Sequence, residues 1–309
     1  MAYRVLISDK IEDVCPQVLK DGGVECDQKP GLSPEELLAV IGDYDGQIVR
    51  SATKVTAEVL ERGKAGKLKI VGRAGAGVDN IDTAAAERLG VKVVNTPGLN
   101  SNAVAELAVG FAFMLSRNLA VADSTMKAGR WEKKGLSGFE LSGKTMGLVG
   151  FGHIGRLVTV KAKGLGMKVL THDPLVPADI VWGAGAEPVE LDALWRGSDF
   201  VSLHLPKNKD TLNIVDAKVL AIMKPTAYLI NCARGGLVDE AALYDALASK
   251  KLAGAAFDVF TAEPPGDSPL LKLPNFIAAP HLGASTLEAQ LGVARKSAEL
   301  LVQFFQTLG

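Results

Sequence analysis

Short aliphatic and β-branched runs alternate with longer amphipathic stretches almost from one end of the chain to the other. In the first hundred or so residues "YRVLIS", "GQIVRS", "LKIVGR" and "VKVVN" predict strands, with helical spacing between them. A second series follows: "KTMGLVG", "MKVLTHD", "DFVSLHL", "AYLINCA", "GAAFDVF" and "NFIAAP". Continuous apolar runs mark strands covered on both faces, and crossover helices between them make the sheets parallel. The expected fold class is therefore α/β, with two doubly wound parallel-sheet domains in succession. Helix punctuation adds to this picture. Ser33 precedes Pro34 and stands three residues before Glu36, which is a capping-box signature. Two long apolar helices stand at the seams, "SNAVAELAVGFAFMLSRN" over 101–118 and "STLEAQLGVARKSAELLVQFFQTLG" from Ser285, with Glu288 spaced for a second capping box. The expected domains are 1–98 with 285–309, the terminal helix returning to the first unit, and 99–284.

The strand "KTMGLVG" runs into Gly150-Phe151-Gly152-His153-Ile154-Gly155, which opens the helical stretch "RLVTVKAKGLG". Alone, this glycine spacing is a weak signal. Between a strand and a helix it becomes a strong signal for a dinucleotide site, against the alternative of a structural turn with an incidental acid downstream. The first glycine permits the tight turn and the second lets backbone N–H groups reach a pyrophosphate. The third allows close helix–sheet packing, which aims the positive helix end at the phosphates. The next strand ends at Asp173, about twenty residues on, where an acid accepts hydrogen bonds from the adenosine ribose. A 2′-phosphate would face that negative charge, and no Lys or Arg lies between Asp173 and Arg196 to offset it. NAD is therefore expected over NADP.

Composition and charge narrow the class. The 309 residues are 48% hydrophobic and 22% charged, ordinary for a globular protein. A formal net charge of −1 offers no electrostatic footprint for nucleic acid or an anionic membrane. No run of eighteen apolar residues exists, and "MAYRVLISDK" reads at once as a strand with no signal-peptide pattern. Cys15, Cys26 and Cys232 form an odd set without metal-ligand spacing, so reduced thiols, a cytoplasmic location and no bound metal are expected.

The histidines are His153, His172, His204 and His281. His153 and His172 lie beside the glycine turn and the ribose acid, as cofactor-side or surface groups. His204 ends a strand in "VSLHLP" and reads as structural before catalytic. His281, in "APHLGAS", sits between a strand end and a helix start, where open α/β sheets assemble their sites. On local sequence it is either catalytic or structural. Arg234 in "NCARGGLVDE" and Glu263 in "DVFTAEPPG" occupy equivalent positions after other strands.

Together "VGFGHIG", "NCARGGLVDE", "AAFDVFTAEPP" and "PHLGAS" resemble the D-2-hydroxyacid dehydrogenases, and the likeness covers essentially the whole chain. The resemblance implies a discontinuous flavodoxin-like substrate domain, a Rossmann NAD domain and a homodimer built largely through the latter. It implies that Arg234, Glu263 and His281 form the catalytic set. His281 would exchange the hydroxyl proton, Glu263 would hold its ring, and Arg234 would fix the substrate carboxylate. The cofactor-binding positions implied are Gly150, Gly152, His153, Ile154, Gly155, Asp173, Cys232, Asp258, Gly283 and Ala284.

Within the family, "VRSATKVT", "VGRAGAGVDNID", "VNTPGLNSNAVAEL" and "AGRWEKKG" most resemble the branch acting on a phosphorylated 2-hydroxy acid, 3-phosphoglycerate. The implied reaction is its NAD-dependent oxidation to 3-phosphohydroxypyruvate, the first step of phosphorylated L-serine biosynthesis. The implied substrate-binding positions are Arg50, Ser51, Arg73, Gly75 and Asn100. Arg50 and Arg73, each after an apolar strand, are the candidates to grip the phosphate, and Lys133 and Lys134 are either further positive charge or a solvated pair. Where relatives often carry a polar side chain this sequence has Ala76. Longer members of the group continue into regulatory domains, and none is expected after "QFFQTLG". Two alternatives stay open: a glyoxylate or hydroxypyruvate reductase with the same catalytic set, and an NAD-sensing corepressor on the same fold.

Overall fold

The computed structural model describes residues 3–308. The chain divides into two units, Met1–Asn100 with Ala284–Gly309, and Ser101–Gly283. The first unit contains β1 (Arg4–Ile7), α1 (Val14–Asp21), β2 (Glu25–Gln28), α2 (Pro34–Val40), β3 (Gly46–Val49), α3 (Ala57–Ala65), β4 (Ile70–Arg73), α4 (Thr83–Leu89) and β5 (Lys92–Asn95). The second contains α5 (Ser101–Ser116), α6 (Leu119–Lys127), β6 (Thr145–Val149), α7 (His153–Gly164), β7 (Lys168–His172), α8 (Ala178–Gly183), β8 (Glu187–Pro188), α9 (Leu191–Gly197), β9 (Phe200–Leu203), α10 (Ala217–Ile222), β10 (Tyr228–Asn231), α11 (Glu240–Ala248), β11 (Gly254–Phe257) and β12 (Phe276–Ala278). The chain closes with α12 (Leu287–Gln306), back in the first unit.

The first sheet is five-stranded and parallel, in the order β2-β1-β3-β4-β5. This is a doubly wound order. All four residues of β3, "GQIV", are buried. The edge strand β2, "ECDQ", was not marked by hydrophobic pattern, because an edge strand needs only its backbone ladder to β1. One side of the sheet carries α12, whose Ala294, Ala298, Leu301 and Phe305 pack with Val5, Ile7, Ile48 and Ile70. A Cβ on Gly72 would meet Leu301 and Ser297, so glycine lets α12 lie close against β4.

The second sheet is seven-stranded and parallel, in the order β12-β11-β10-β9-β6-β7-β8. Crossovers run from β6 outwards through β7 and β8, then resume on the other side at β9. The strand order reverses between β6 and β9, and ligands of open sheets bind outside the carboxyl ends at such a point. Pro188 is tolerated in the two-residue β8 because that strand is an edge.

Two local expectations are corrected. The helix predicted over 101–118 stops at Ser116, and α6 leaves at 68° to α5. Asn118, left-handed at φ 53°, makes the turn, a conformation that Asn tolerates better than most residues. The freed Ser116 carbonyl accepts a bond from Phe139 N at 3.0 Å. At the C-terminal helix, Thr286 rather than Ser285 is the cap, its Oγ1 accepting from Ala289 N at 3.2 Å. That shift places Glu288 one residue too early for a reciprocal bond, although it still faces the positive helix end. The box at Ser33 forms in both directions, Glu36 N to Ser33 Oγ at 3.2 Å and Ser33 N to Glu36 Oε2 at 2.8 Å. Among the described residues no single helix is long and apolar enough to cross a membrane, and no cluster of His, Cys, Asp and Glu could hold a metal.

Candidate active site

Each glycine of the turn after β6 has a separate steric reason. Gly150, at φ 98°, lies against β9's end, where a Cβ would collide with the His204 carbonyl. A Cβ on Gly155 would strike the Gly150 carbonyl, so this glycine lets α7 pack onto the turn. A Cβ on Gly152 would meet nothing within 4 Å. Neither conformation nor protein packing requires glycine there; the bare backbone opens a space above the first turn of α7. No side chain caps α7, so its leading N–H groups are available to an anion. His153 and Ile154 are the first residues of that helix, His153 exposed and Ile154 partly buried.

Asp173 stands directly after β7 and is fixed by two backbone donors, Phe151 N to Oδ2 at 2.7 Å and Leu175 N to Oδ1 at 3.0 Å. The carboxylate thus couples the glycine turn to the next strand, and each oxygen keeps a lone pair for a ribose hydroxyl. Open space at Gly152, an uncapped helix and a positioned carboxylate fit a dinucleotide.

Farther along the same sheet edge, Glu263 and His281 meet, with Glu263 Oε2 2.7 Å from His281 Nδ1. The other oxygen, Oε1, accepts from Phe260 N at 3.1 Å. A carboxylate only accepts, so Nδ1 carries the proton and Nε2 of the neutral ring is left as an acceptor. His281 is left-handed at φ 56°, unusual for a residue with a side chain. Asp258 maintains this conformation. Its backbone carbonyl accepts from His281 N at 2.9 Å, and its carboxylate accepts from Leu282 N at 2.6 Å and Gly283 N at 2.7 Å. Burial pushes the Asp258 carboxyl up, against the lowering effect of those two amides. A Cβ on Gly283 would lie 3.1 Å from Asp258 Oδ2, a contact tight enough that the carboxylate would have to give by a few tenths of an ångström.

Arg234 follows β10, its Nη1 donating to the Ala233 carbonyl at 2.7 Å. Asn231 shapes that loop by donating to the Arg234 carbonyl at 2.9 Å and accepting from Ala233 N at 3.0 Å. A Cβ on Gly235 would collide with the Phe260 carbonyl, so the loops after β10 and β11 touch backbone to backbone. Arg234 therefore arises beside the loop that leads to Glu263. Asn231 and Glu240, which accepts from Thr261 N at 2.7 Å, are supports that the sequence reading missed. Cys232 lies in the core beneath this edge, and burial raises its thiol well above the ordinary range.

His204 has a different environment. Its Nε2 lies 2.9 Å from Ser202 Oγ, while Nδ1 is buried without a partner among the described residues. Burial pushes the imidazole down from 6.5 to about 4. Because the folded value lies below the unfolded one, the unfolded chain takes up this proton first. The associated stability is complete above about pH 6.5 and drains away towards pH 4. His204→Gln should flatten this acid limb in a plot of Tm against pH; an unchanged limb would assign the acid sensitivity elsewhere.

In the first unit the β3–β4 pairing Val49↔Arg73 puts Arg50 and Arg73 at neighbouring strand ends. Arg73 lies across Gly75, where a Cβ would fall on the guanidinium, and its Nη1 donates to the Ala74 carbonyl at 3.3 Å. The loop holding Arg50 and Ser51 is braced by Asp9, which accepts from Arg50 N at 2.6 Å and Thr53 Oγ1 at 2.6 Å. Asn80 donates to the Arg50 carbonyl at 2.9 Å and the Thr53 carbonyl at 2.7 Å. Ser51 is exposed in this loop. Asn100 is the last residue of this unit before the chain crosses, and Ala284 is the first after it returns.

Residues 109–283 match the NAD-binding domain of the D-isomer specific 2-hydroxyacid dehydrogenases. The chain is 46% identical over 97% of its length to human D-3-phosphoglycerate dehydrogenase, of whose length it spans 56%, so it covers about half of that relative. It is 44% identical to hydroxypyruvate reductase of Thermotoga maritima, with 99% of both chains covered. Among solved structures, the apo form of D-lactate dehydrogenase from Escherichia coli superposes with a TM-score of 0.87 at 27% identity, covering 98% of this chain and 97% of that one.

Proposed function

The chain belongs to the D-isomer specific 2-hydroxyacid dehydrogenase family, and from that premise we propose that it oxidises 3-phosphoglycerate to 3-phosphohydroxypyruvate with NAD. The observation that carries the chemistry is the His281–Glu263 pair at 2.7 Å. Bound NAD supplies the acceptor for the C2 hydride. His281 Nε2 takes the C2 hydroxyl proton, while Glu263 holds the ring through Nδ1 and stabilises the charge that develops. Arg234 binds the substrate carboxylate through its planar fork and polarises the C2 oxygen. In the reverse direction the same ring returns the proton. Asp258 keeps the His281 loop in its left-handed shape throughout.

The phosphorylated substrate is supported by Arg50 and Arg73 at adjacent strand ends, and by the 46% identity to the human enzyme. The reaction would open the phosphorylated route to L-serine, with a homodimer as the working form. The likeness to the Thermotoga enzyme over its full length supports a second reading, reduction of hydroxypyruvate or glyoxylate at the same catalytic set. Side-by-side kcat/KM values for 3-phosphoglycerate, glycerate, hydroxypyruvate and glyoxylate separate the two. A preference for hydroxypyruvate or glyoxylate would replace the first reading with the second.

Cofactor choice is tested at Asp173. Asp173→Ala should weaken NAD about tenfold, since a charge-assisted bond to the ribose is lost. NADP should suffer less, because a repulsive charge disappears with it. Equal efficiency with NAD and NADP in the unmodified protein would overturn the assignment.

A further inference from the structure

Arg50 is not held by its strand alone. Its Nη1 lies 3.4 Å from Glu12 Oε1, with the two side chains 24% and 23% exposed. Glu12 comes from the connection between β1 and α1, which also supplies Asp9, the brace of the Arg50 backbone. Glu12 Oε2 is buried and has no hydrogen-bond partner among the described residues. A carboxylate on a freely solvated ion pair would turn both oxygens to water. Native structures leave few buried polar atoms unsatisfied, and those that remain call for an explanation. Here burial holds the Glu12 carboxylate against Arg50 and closes Oε2 to water. Glu12 engages a single corner of the guanidinium, and among the described residues no other protein group bonds the rest of the fork. A guanidinium carries five donors, so most stay available to a second oxyanion.

We infer that Glu12 is a positioning residue for Arg50, holding its guanidinium ready for the substrate phosphate. The inference rests on the proposed phosphorylated substrate. Two effects compete. The Glu12 charge repels a phosphate dianion, but it does so across the intervening guanidinium and in a partly wet site, where screening is strong. Against this, a long arginine loses considerable rotamer freedom when a ligand immobilises it, and a residue that has already oriented it removes part of that cost. Orientation is the larger effect, at about two- to tenfold in affinity.

The test measures kcat/KM for 3-phosphoglycerate and glycerate, and the competitive inhibition constant of inorganic phosphate. The variants are Glu12→Ala, Glu12→Gln, Arg50→Ala and the double variant Glu12→Ala/Arg50→Ala, with Tm as the control for folding. Glu12→Ala should lower the 3-phosphoglycerate to glycerate ratio about two- to tenfold, through KM rather than kcat. Glu12→Gln should recover part of the loss, because its amide oxygen still accepts from Nη1. In the Arg50→Ala background the Glu12 change should leave the ratio where it was, as expected for residues acting through one contact. Inhibition by phosphate should weaken by the same factor as the ratio. Equal losses on both acids, or phosphate binding that is unchanged or tighter without Glu12, would overturn the positioning role and leave the proposed function standing. A parent enzyme that prefers the unphosphorylated acid, yet is inhibited by phosphate through Glu12 and Arg50, would overturn the proposed function and leave the positioning role standing.

Discussion

His281→Ala should reduce turnover by about 10²–10⁴-fold while NADH binding stays close to that of the unmodified protein. The size follows from what the side chain does. With Nδ1 committed to Glu263 at 2.7 Å, Nε2 is the acceptor that the ring presents, and alanine leaves the hydroxyl proton with water alone as its acceptor. Loss of the imidazole is separable from cofactor binding because the groups that would hold the pyrophosphate and ribose, the glycine turn, the α7 N-terminus and Asp173, lie at the ends of β6 and β7, whereas His281 follows β12 at the far edge of the sheet. Glu263→Gln should cost less, since the amide oxygen can still accept from Nδ1 while the charge is lost. Stopped-flow measurement of hydride transfer, with fluorescence titration of NADH, checks both halves. Full activity in the His281 variant would remove it from the mechanism; loss of NADH binding in parallel would show a collapsed loop.

The second large effect concerns the phosphate. Arg50→Ala and Arg73→Ala should each lower kcat/KM for 3-phosphoglycerate by about ten- to a hundredfold, corresponding to roughly 1.5–3 kcal/mol for a charge-assisted contact. Glycerate should lose much less. A phosphate remote from C2 contributes binding energy that aligns the reacting carbon, so kcat falls together with a rise in KM. Rising salt should weaken 3-phosphoglycerate preferentially, because a partly wet anion site is screened. Arg73 also lies over Gly75, so the Arg73 variant needs a Tm control that Arg50 needs less. If both acids lose the same factor, the arginines serve the fold and not the phosphate.

Much of the architecture was legible in the chain, and the places where it was not share a cause. The central strands of both sheets are predominantly apolar, with buried polar residues such as Gln47 in β3 and Ser202 in β9 as interruptions, because a strand covered on both faces has no reason to alternate. The strands that the hydrophobic pattern left unmarked are the edges β2 and β8, where "ECDQ" and "EP" join the ladder through backbone alone. The helix over 101–118 misled because its apolar spacing continues past Ser116; the bend depends on the φ of Asn118 and on Phe139 reaching the freed carbonyl from a distant segment. Thr286 took the cap from Ser285 by one residue, a choice between adjacent hydroxyls that spacing cannot resolve.

The candidate site divides the same way. The sequence by itself determined the glycine turn, the acid after β7, and a charged or histidine side chain at the ends of β10, β11 and β12, since strand ends and glycines are local features and all parallel strands share one functional edge. Only the tertiary structure decided which of those groups meet. His281 reaches Glu263, 18 residues away in sequence, because β12 pairs with β11 and Asp258 binds the backbone at His281, Leu282 and Gly283. Glu12 reaches Arg50 because β1 lies beside β3. Periodicity specifies which face of an element is buried; the direction of a side chain beyond a strand end is set by loop hydrogen bonds from other parts of the chain, and these exist only once the sheet has formed.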